Sequence, residues 1–443
     1  MAATVGAGML AGCSNRTPFA EEADSSPSGE PFAYTVTAHG IEGDGETEVG
    51  GAVQDLLDTV ASEGGGVIYF PPGRYLFEQT PLVGSDTTLL GAGRSTVFEG
   101  VRPAGDEGRA LLTNRGYDER GYGGASNWSV RNIRIDSPSS NGIMPAHAEN
   151  VRLENIYGDA ILYHHIDIVS SRNVTVDGYW ASRGGEADSD APLQFDAQKE
   201  GISANRVWDG TNDTLVEDDG TPTKRCTVRD FEINAENGPS HGVHIHRGEH
   251  ELLTITDGII TGCQYTGIRS DPGESIQGMT VNNVSCLENA RGITLGHIKS
   301  GREELTINNA TIQTESAELA AGSGLYGAGF NGANISNVTV EGAFTNSIIF
   351  DDMENLRMNN ITATGGVDQA FRFRDNVAVT LITSQATDCG GAGIYVGPES
   401  TLTYGGVQFD NVGSKIVVDG EIAEWDVSAK ASLSRNFNRA GQP

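Results

Sequence analysis

MTVNNVSCLENARGITL, residues 279–295, carries the pattern on which the fold turns. Its first six residues read apolar-x-apolar-x-Asn-apolar, and such alternation marks a short strand whose apolar side chains share one face. The Asn in fifth place tolerates left-handed backbone and hydrogen-bonds locally, so the strand runs into a sharp bend. A second short strand led by glycine, GITL, follows. The six-residue pattern returns on both sides: WSVRNI at 128, VRLENI at 151, VTVDGY at 174, CTVRDF at 226, LTITDG at 253, LTINNA at 305, ANISNV at 333 and LRMNNI at 356, with weaker VAVTLI at 377 and LTYGGV at 402. Apart from one gap of 52 residues between 174 and 226, the spacings run from 21 to 28. One supersecondary unit per ~25 residues, short strands only, and Asn or Asp stacked at one position describe a solenoid. The expected fold is all-β, a single-stranded right-handed parallel β-helix of about 11 coils. A propeller blade needs about 40 residues and fits poorly.

Upstream, VQDLLDTVASEGGG places Val53, Leu56, Leu57, Val60 and Ala61 on one helical face and stops at three glycines. VIYFPPGRYLF then reads as strand, Pro-Gly turn, strand. This helix and hairpin resemble the N-terminal cap of pectate-lyase-like β-helix proteins, phage tailspikes included. The expected division is 34–127 for cap and first coils, 128–414 for the β-helix and 415–443 for a C-terminal cap or tail.

Of the 443 residues, 60 are Asp or Glu against 29 Lys or Arg, a formal net charge of −31. Only five are lysine, at 199, 224, 299, 415 and 430. So acidic a surface excludes nucleic acid as a partner. It also suits molar salt, where like-charge repulsion is screened within about 3 Å, so a halophilic source is expected. The opening run, closed by Leu10-Ala11-Gly12-Cys13, resembles a lipoprotein signal (residues 1–13) with Cys13 lipidated, followed by a disordered tether over 14–33. Past it, no stretch approaches the ~20 apolar residues of a membrane span. The expected location is extracellular, held at the cell surface by lipid alone. Cys226, Cys263, Cys286 and Cys389 form no CxxC pair and read as buried free thiols. Of the Asn-x-Ser/Thr sequons, Asn212 is the best glycosylation candidate, because those at 283, 309, 337 and 360 are explained by the bend.

In the second strand of each coil, residues between the apolar ones point out of the solenoid. One outward row reads Met144, Asp167, Gln194, His244, Arg269, and the next Ala146, Val169, Asp196, His246, Asp271. Four consecutive coils thus gather Asp167, Gln194, Asp196, His244, His246, Arg269 and Asp271, with His165 just before them and His241 and His250 at the ends of the histidine-rich strand. Coils stack about 4.8 Å apart, so the patch would be roughly 15 Å long, the reach of a few sugar rings. The 52-residue gap falls here, and its insertion carries Trp208, an aromatic expected to overhang the patch and stack on a sugar. A merely solvated face is the alternative; His clustered with Arg and Gln beside the one large insertion favours a site. His244 and His246 at i and i+2 could share a metal, but zinc usually takes three or four such ligands, so no metal site is expected. A divalent cation such as calcium remains compatible.

At these residues the chain resembles a branch of the pectate-lyase-like superfamily found among bacterial and phage envelope proteins, through HHIDIVSSRNVTV, DAPLQFDAQ, DDGTPTKRCTVRDF and GVHIHRGEHELLTI, about residues 160–270. The resemblance implies a polysaccharide partner, a homotrimer as in many spikes of this architecture, and site roles for His165, Gln194, Asp196, His246, His250 and Arg269. A more distant similarity is to polygalacturonase-type glycosidases: SHGVHI with His241 and GIRS with Arg269. Their paired aspartates are reduced here to DSDA with Asp190, and their lysine is replaced by Asp271, so that apparatus does not transfer whole.

Three functions stay open. Inverting hydrolysis needs two carboxyl groups about 6.5–9.5 Å apart, for which Asp196 and Asp271, or Asp167, are the candidates. A lyase needs a base at the acidic C5 proton of a uronic acid and a cation on its carboxylate, for which His246 or His244 and Arg269 serve. The third is a non-catalytic surface adhesin using the same patch. Scarce lysine and the lack of a tight acidic calcium nest lean the sequence toward hydrolysis.

Overall fold

The computed structural model describes residues 34–424 except 102–108, 138–140, 162, 183–190, 198–204, 209, 236–240, 273–274, 297–303 and 316–321. Cys13, the tether, Asp190 and the tail beyond 424 lie outside the described residues.

The chain winds as a parallel β-solenoid of about 13 turns. The additional turns lie ahead of Trp128, where strands at Gly66–Tyr69 and Gly73–Phe77 each already pair in parallel with Thr87–Gly100. Helix α1, Gly50–Ser62, buries Val53, Leu56, Leu57 and Val60 against the first coils. The apolar positions of the repeat stack in register: Leu153 on Val130 and Val176, Val281 on Ile255 and Ile307. One hydrophobic core runs from Val36 to Leu402. Cys226, Cys263, Cys286 and Cys389 are buried free thiols. Among the described residues no helix is long and apolar enough to cross a membrane.

The fifth-position residues bend as the pattern requires. Asn132, Asn155, Asp230, Asp257, Asn283, Asn309, Asn337 and Asn360 all have φ between 52° and 56°. Their side chains bond up the stack, as in Asn155 Nδ2 to Asn132 Oδ1 at 2.9 Å and Asn360 Nδ2 to Asn337 Oδ1 at 2.9 Å. The glycines that lead the second strands have a packing reason. A Cβ on Gly292 would lie 2.3 Å from Ile312 Cγ2 and 2.6 Å from the carbonyl oxygen of Gly324 one coil on. Gly292→Val is therefore expected to destabilise by about 1–3 kcal/mol, as overpacking does. A denaturation midpoint equal to that of the parent would mean the wall yields there.

Candidate functional site

Four adjacent parallel strands carry the cluster: β1 (Ile166–Val169), β2 (Leu193–Asp196), β3 (His241–His246) and β4 (Thr266–Ser270). Their register aligns Asp167, Gln194, His244 and Arg269 in one row, and Val169, Asp196 and His246 in the next, with Asp271 directly after β4. At the start of β3, Gly242 faces the core, where a Cβ would lie 2.3 Å from Ile260 Cγ2. His241 stands beside His244, with ring centroids 5.2 Å apart.

Asp271 is the hub on one side. Its Oδ1 accepts from His244 Nε2 at 3.1 Å and Arg269 Nη2 at 3.0 Å, and its Oδ2 lies 3.5 Å from His246 Nε2. Burial opposes its charge, but the bond from His244, the adjoining His244 and His246 rings and the charge of Arg269 outweigh that and hold its carboxyl at about 2. Arg269 Nη1 donates at 2.7 Å to His241 Nε2, which is therefore an unprotonated acceptor. Burial first, then His244 and Arg269, push His241 down to about 2. His246 is pushed down to about 2 by burial, His244 and Arg247, and its ring stacks on His244 with centroids 4.9 Å apart. The cluster thus holds two neutral imidazoles, His241 and His246, against an ionised carboxylate.

The other side has the opposite bias. Asp167 is fully buried and accepts from Gln194 Nε2 at 3.3 Å; its Oδ2 has no hydrogen-bond partner among the described residues. Burial, and then the neighbouring Asp196, raise its pKa well above the usual carboxylate range. Asp196 is 1% exposed and its Oδ2 accepts from Asn205 Nδ2 at 3.3 Å. A raised folded pKa supports stability below the unfolded value of about 3.9 and withdraws it as pH rises through the folded value. Asp167→Asn should therefore raise the thermal midpoint at about pH 8, with a gain that shrinks toward about pH 4; a gain independent of pH would contradict a buried, protonated Asp167.

The insertion touches the cluster through Asn205, which reaches Asp196, while its Trp208 lies elsewhere than the sequence led us to expect. Its hairpin, Arg206–Trp208 with Asp213–Leu215, packs Val207 and Val216 on Ala110, Met144, Ala146 and Val169, the outward apolar residues of the coils N-terminal to the histidines. Apolar outward residues need a cover, and the hairpin follows them rather than the charges. Trp208 sits under Arg109 at 4.8 Å, and its carbonyl accepts from the Thr80 amide at 2.9 Å, so it stands apart from the cluster. The expectation of an open groove is corrected likewise: Asp167, Gln194, Asp196 and His244 are at most 4% exposed, and the open edge consists of His246, Asp271 and Arg269.

Two further histidines leave the group. His165 turns into the solenoid, its Nδ1 2.8 Å from the Tyr179 hydroxyl, because it sits at a corner ahead of β1 where alternation does not hold. His250 is buried at the start of the next coil, where Nε2 donates to the Arg247 carbonyl at 2.8 Å. In their place come His164, whose Nδ1 donates to the Ala191 carbonyl at 2.7 Å and whose nearness adds a little to the lowering of His246, and Arg247, which acts on both His246 and Asp167. Only the adjacency of His164 and Arg247 to residues already singled out could have signalled them. Asn212 is exposed beside the hairpin.

The comparisons with known proteins agree with this architecture. The family described as "Rhamnogalacturonase A/epimerase, pectate lyase-like" matches residues 33–269. A plasmin and fibronectin-binding protein A of Streptococcus pneumoniae is 27% identical over 170 residues, 33% of this chain; the chain spans about a quarter, 24%, of that curated relative. The A-module of a mannuronan C-5 epimerase from Azotobacter vinelandii superposes with a TM-score of 0.58 at 13% identity, covering 89% of this chain and 100% of that one. The catalytic unit of an α-1,3-glucanase from Streptomyces thermodiastaticus does so with a TM-score of 0.53 at 12% identity, covering 91% and 71%. At those identities the superpositions show a shared fold. The family match spans over half of the chain, which therefore belongs to the rhamnogalacturonase A/epimerase, pectate lyase-like family of carbohydrate-active β-helix proteins.

Proposed function

We propose that this protein abstracts the C5 proton of a uronic acid in an acidic polysaccharide and cleaves the chain by β-elimination. The observation that carries this is accessibility. The side chains of His246, Asp271 and Arg269 are 24%, 22% and 34% exposed, and they are a neutral base, its counter-charge and a cation. His246 takes the C5 proton; the electron pair forms the C4–C5 double bond, and the C4–O4 bond breaks as the imidazolium returns the proton to the leaving oxygen. Asp271 stabilises the imidazolium in passing. Arg269, with donors left beyond those given to His241 and Asp271, neutralises the substrate carboxylate as the carbanion develops.

Hydrolysis is the second reading, favoured by the opposed environments of Asp167 and Asp271, which is how acid and base roles are divided. Asp196 and Asp271 sit two strands apart, about 9.6 Å in backbone, at the upper edge of the inverting range. It requires substrate to uncover Asp196.

Incubation with polyuronates and neutral glucans in low and molar salt separates the classes. Absorbance near 235 nm rising together with reducing ends supports elimination, and reducing ends alone mean hydrolysis. Saturable binding without either makes this a binding protein, a reading supported by the likeness to a plasmin and fibronectin-binding protein. His246→Ala should abolish the absorbance signal; full activity in that variant removes the base from the scheme. Display at the cell surface, Cys13 as lipid anchor, Asn212 as glycan carrier and a trimeric assembly are further proposals.

A further inference from the structure

The strands β5 (Asn331–Gly342), β6 (Met353–Thr364) and β7 (Val377–Ile382) belong to the other stack of the solenoid, away from the histidine cluster. Where β5 and β6 bend at Asn337 and Asn360, a groove of about 510 Å³ opens, a volume in the usual range for small-ligand sites. Its walls are a grid of outward side chains in register: Asn334, Arg357 and Thr380 in one row, Ser336, Asn359 and Ile382 in the next. The first row extends through Thr306 and Thr280 on one side and Thr403 on the other, the second through Asn308 and Asn282 and to Gly405. Over these stretches, Thr280 to Thr403 and Asn282 to Gly405, neither row carries a carboxylate, in a chain with 60 of them; the second row meets Asp177 and Glu154 only further toward the N-terminus. Arg357 is exposed, and among the described residues it has no ion pair, whereas Arg134, Arg172 and Arg229 each hold an Asp or Glu.

We propose that this groove is a second glycan site, binding a carboxylate-bearing sugar without acting on it. The guanidinium fork of Arg357 grips the carboxylate through two parallel hydrogen bonds. The amides of Asn334 and Asn359 and the hydroxyls of Ser336 and Thr380 meet ring hydroxyls, and Ile382 lies under the apolar face of a ring. Polar groups repeat every ~4.8 Å from strand to strand, close to the rise of one sugar in an extended chain, so neighbouring rings meet the same chemistry. The site would hold a long acidic polymer while the cluster works on another part of it, which raises effective concentration at the cluster. The choice of an acidic glycan rests on the proposed function; the site itself does not depend on that activity.

Calorimetric titration with hexamers of galacturonate, mannuronate and neutral cello-oligosaccharide tests it, using the full chain, Arg269→Gln, Arg357→Gln, Arg357→Lys and Thr380→Tyr. An acidic hexamer is expected to bind Arg269→Gln much as it binds one class of site in the parent. Arg357→Gln should weaken that class by about tenfold or more, as loss of a charge-assisted pair does. Arg357→Lys should fall between, and Thr380→Tyr should weaken binding by filling the groove. Equal affinity for the neutral hexamer, no change in Arg357→Gln, or loss of all binding in Arg269→Gln each overturns the proposal. Arg357-dependent binding by a chain that cleaves no polysaccharide keeps this site and removes the proposed activity; cleavage with binding indifferent to Arg357 does the reverse.

Discussion

Asp271→Asn is expected to lower turnover by about 10²–10⁴-fold, the usual weight of a general-base arrangement, with little change in KM. Asparagine keeps an oxygen where His244 Nε2 and Arg269 Nη2 now donate, at 3.1 and 3.0 Å, so the geometry can survive. What goes is the negative charge. His246 is already held far below the ordinary histidine range by burial, His244 and Arg247, and the Asp271 carboxylate opposes them. Without it, the imidazolium formed by taking the C5 proton loses its counter-charge and the barrier rises. Arg269→Gln should separate from this, raising KM for uronates and sparing neutral substrates. Asp196→Asn should leave elimination nearly intact and stop hydrolysis. Single-turnover rates of the three variants on one polyuronate decide the matter: an Asp271→Asn enzyme keeping most of its turnover rules out the His246–Asp271 pair, and a dead Asp196→Asn enzyme moves the chemistry to hydrolysis.

The solenoid was legible because its determinants are local and repeated. Alternation at Val281 or Ile255 fixes which side faces in, and Asn283 or Asn360 marks the bend, so each coil announces itself within six residues. The alignment of Gln194 with His244 and of Asp196 with His246 followed from alternation too. Burial did not. Whether an outward Asp167 meets water depends on where a hairpin about forty residues further along comes to rest, and that was set by Val207 and Val216 finding Met144 and Val169, a contact between distant segments with no periodic signal. His165 shows the limit of alternation itself: one residue ahead of its strand, it goes to Tyr179 inside, and the neighbouring His164 carries the influence on His246. Which chemistry is favoured turned on these placements, since they leave His246 and Asp271 at the edge and Asp196 beneath it.

Acid should unfold this protein well before its carboxylates are titrated. His164 and His165 are buried, and burial, as the largest cause, lowers each to about 4. His241 and His246 are pushed lower still. In the unfolded chain each returns to about 6.5. A group with a depressed folded pKa is neutral in the native state and takes a proton on unfolding, so its support for the fold is complete above about pH 6.5 and drains away as pH falls toward the folded value. Over the ~2.5 units available to His164 or His165, that is on the order of 3 kcal/mol for each, a large share of the stability of most domains. Asp271 loses its contribution only below about pH 4, whereas Asp167, whose raised pKa gains stability as pH falls, offsets part of the histidine loss, so the slope is read most cleanly in the Asp167→Asn background. The thermal midpoint should therefore fall steeply between about pH 6.5 and 4. His164→Asn, which keeps a donor for the Ala191 carbonyl, and His165→Gln, which keeps a polar partner for Tyr179, should each reduce that slope by close to one proton whatever they do to the midpoint at about pH 8. Slopes equal to the parent's in both variants would show that these two histidines are already protonated in the native state, and with that the neutral, desolvated interior beside the cluster would be lost from the account.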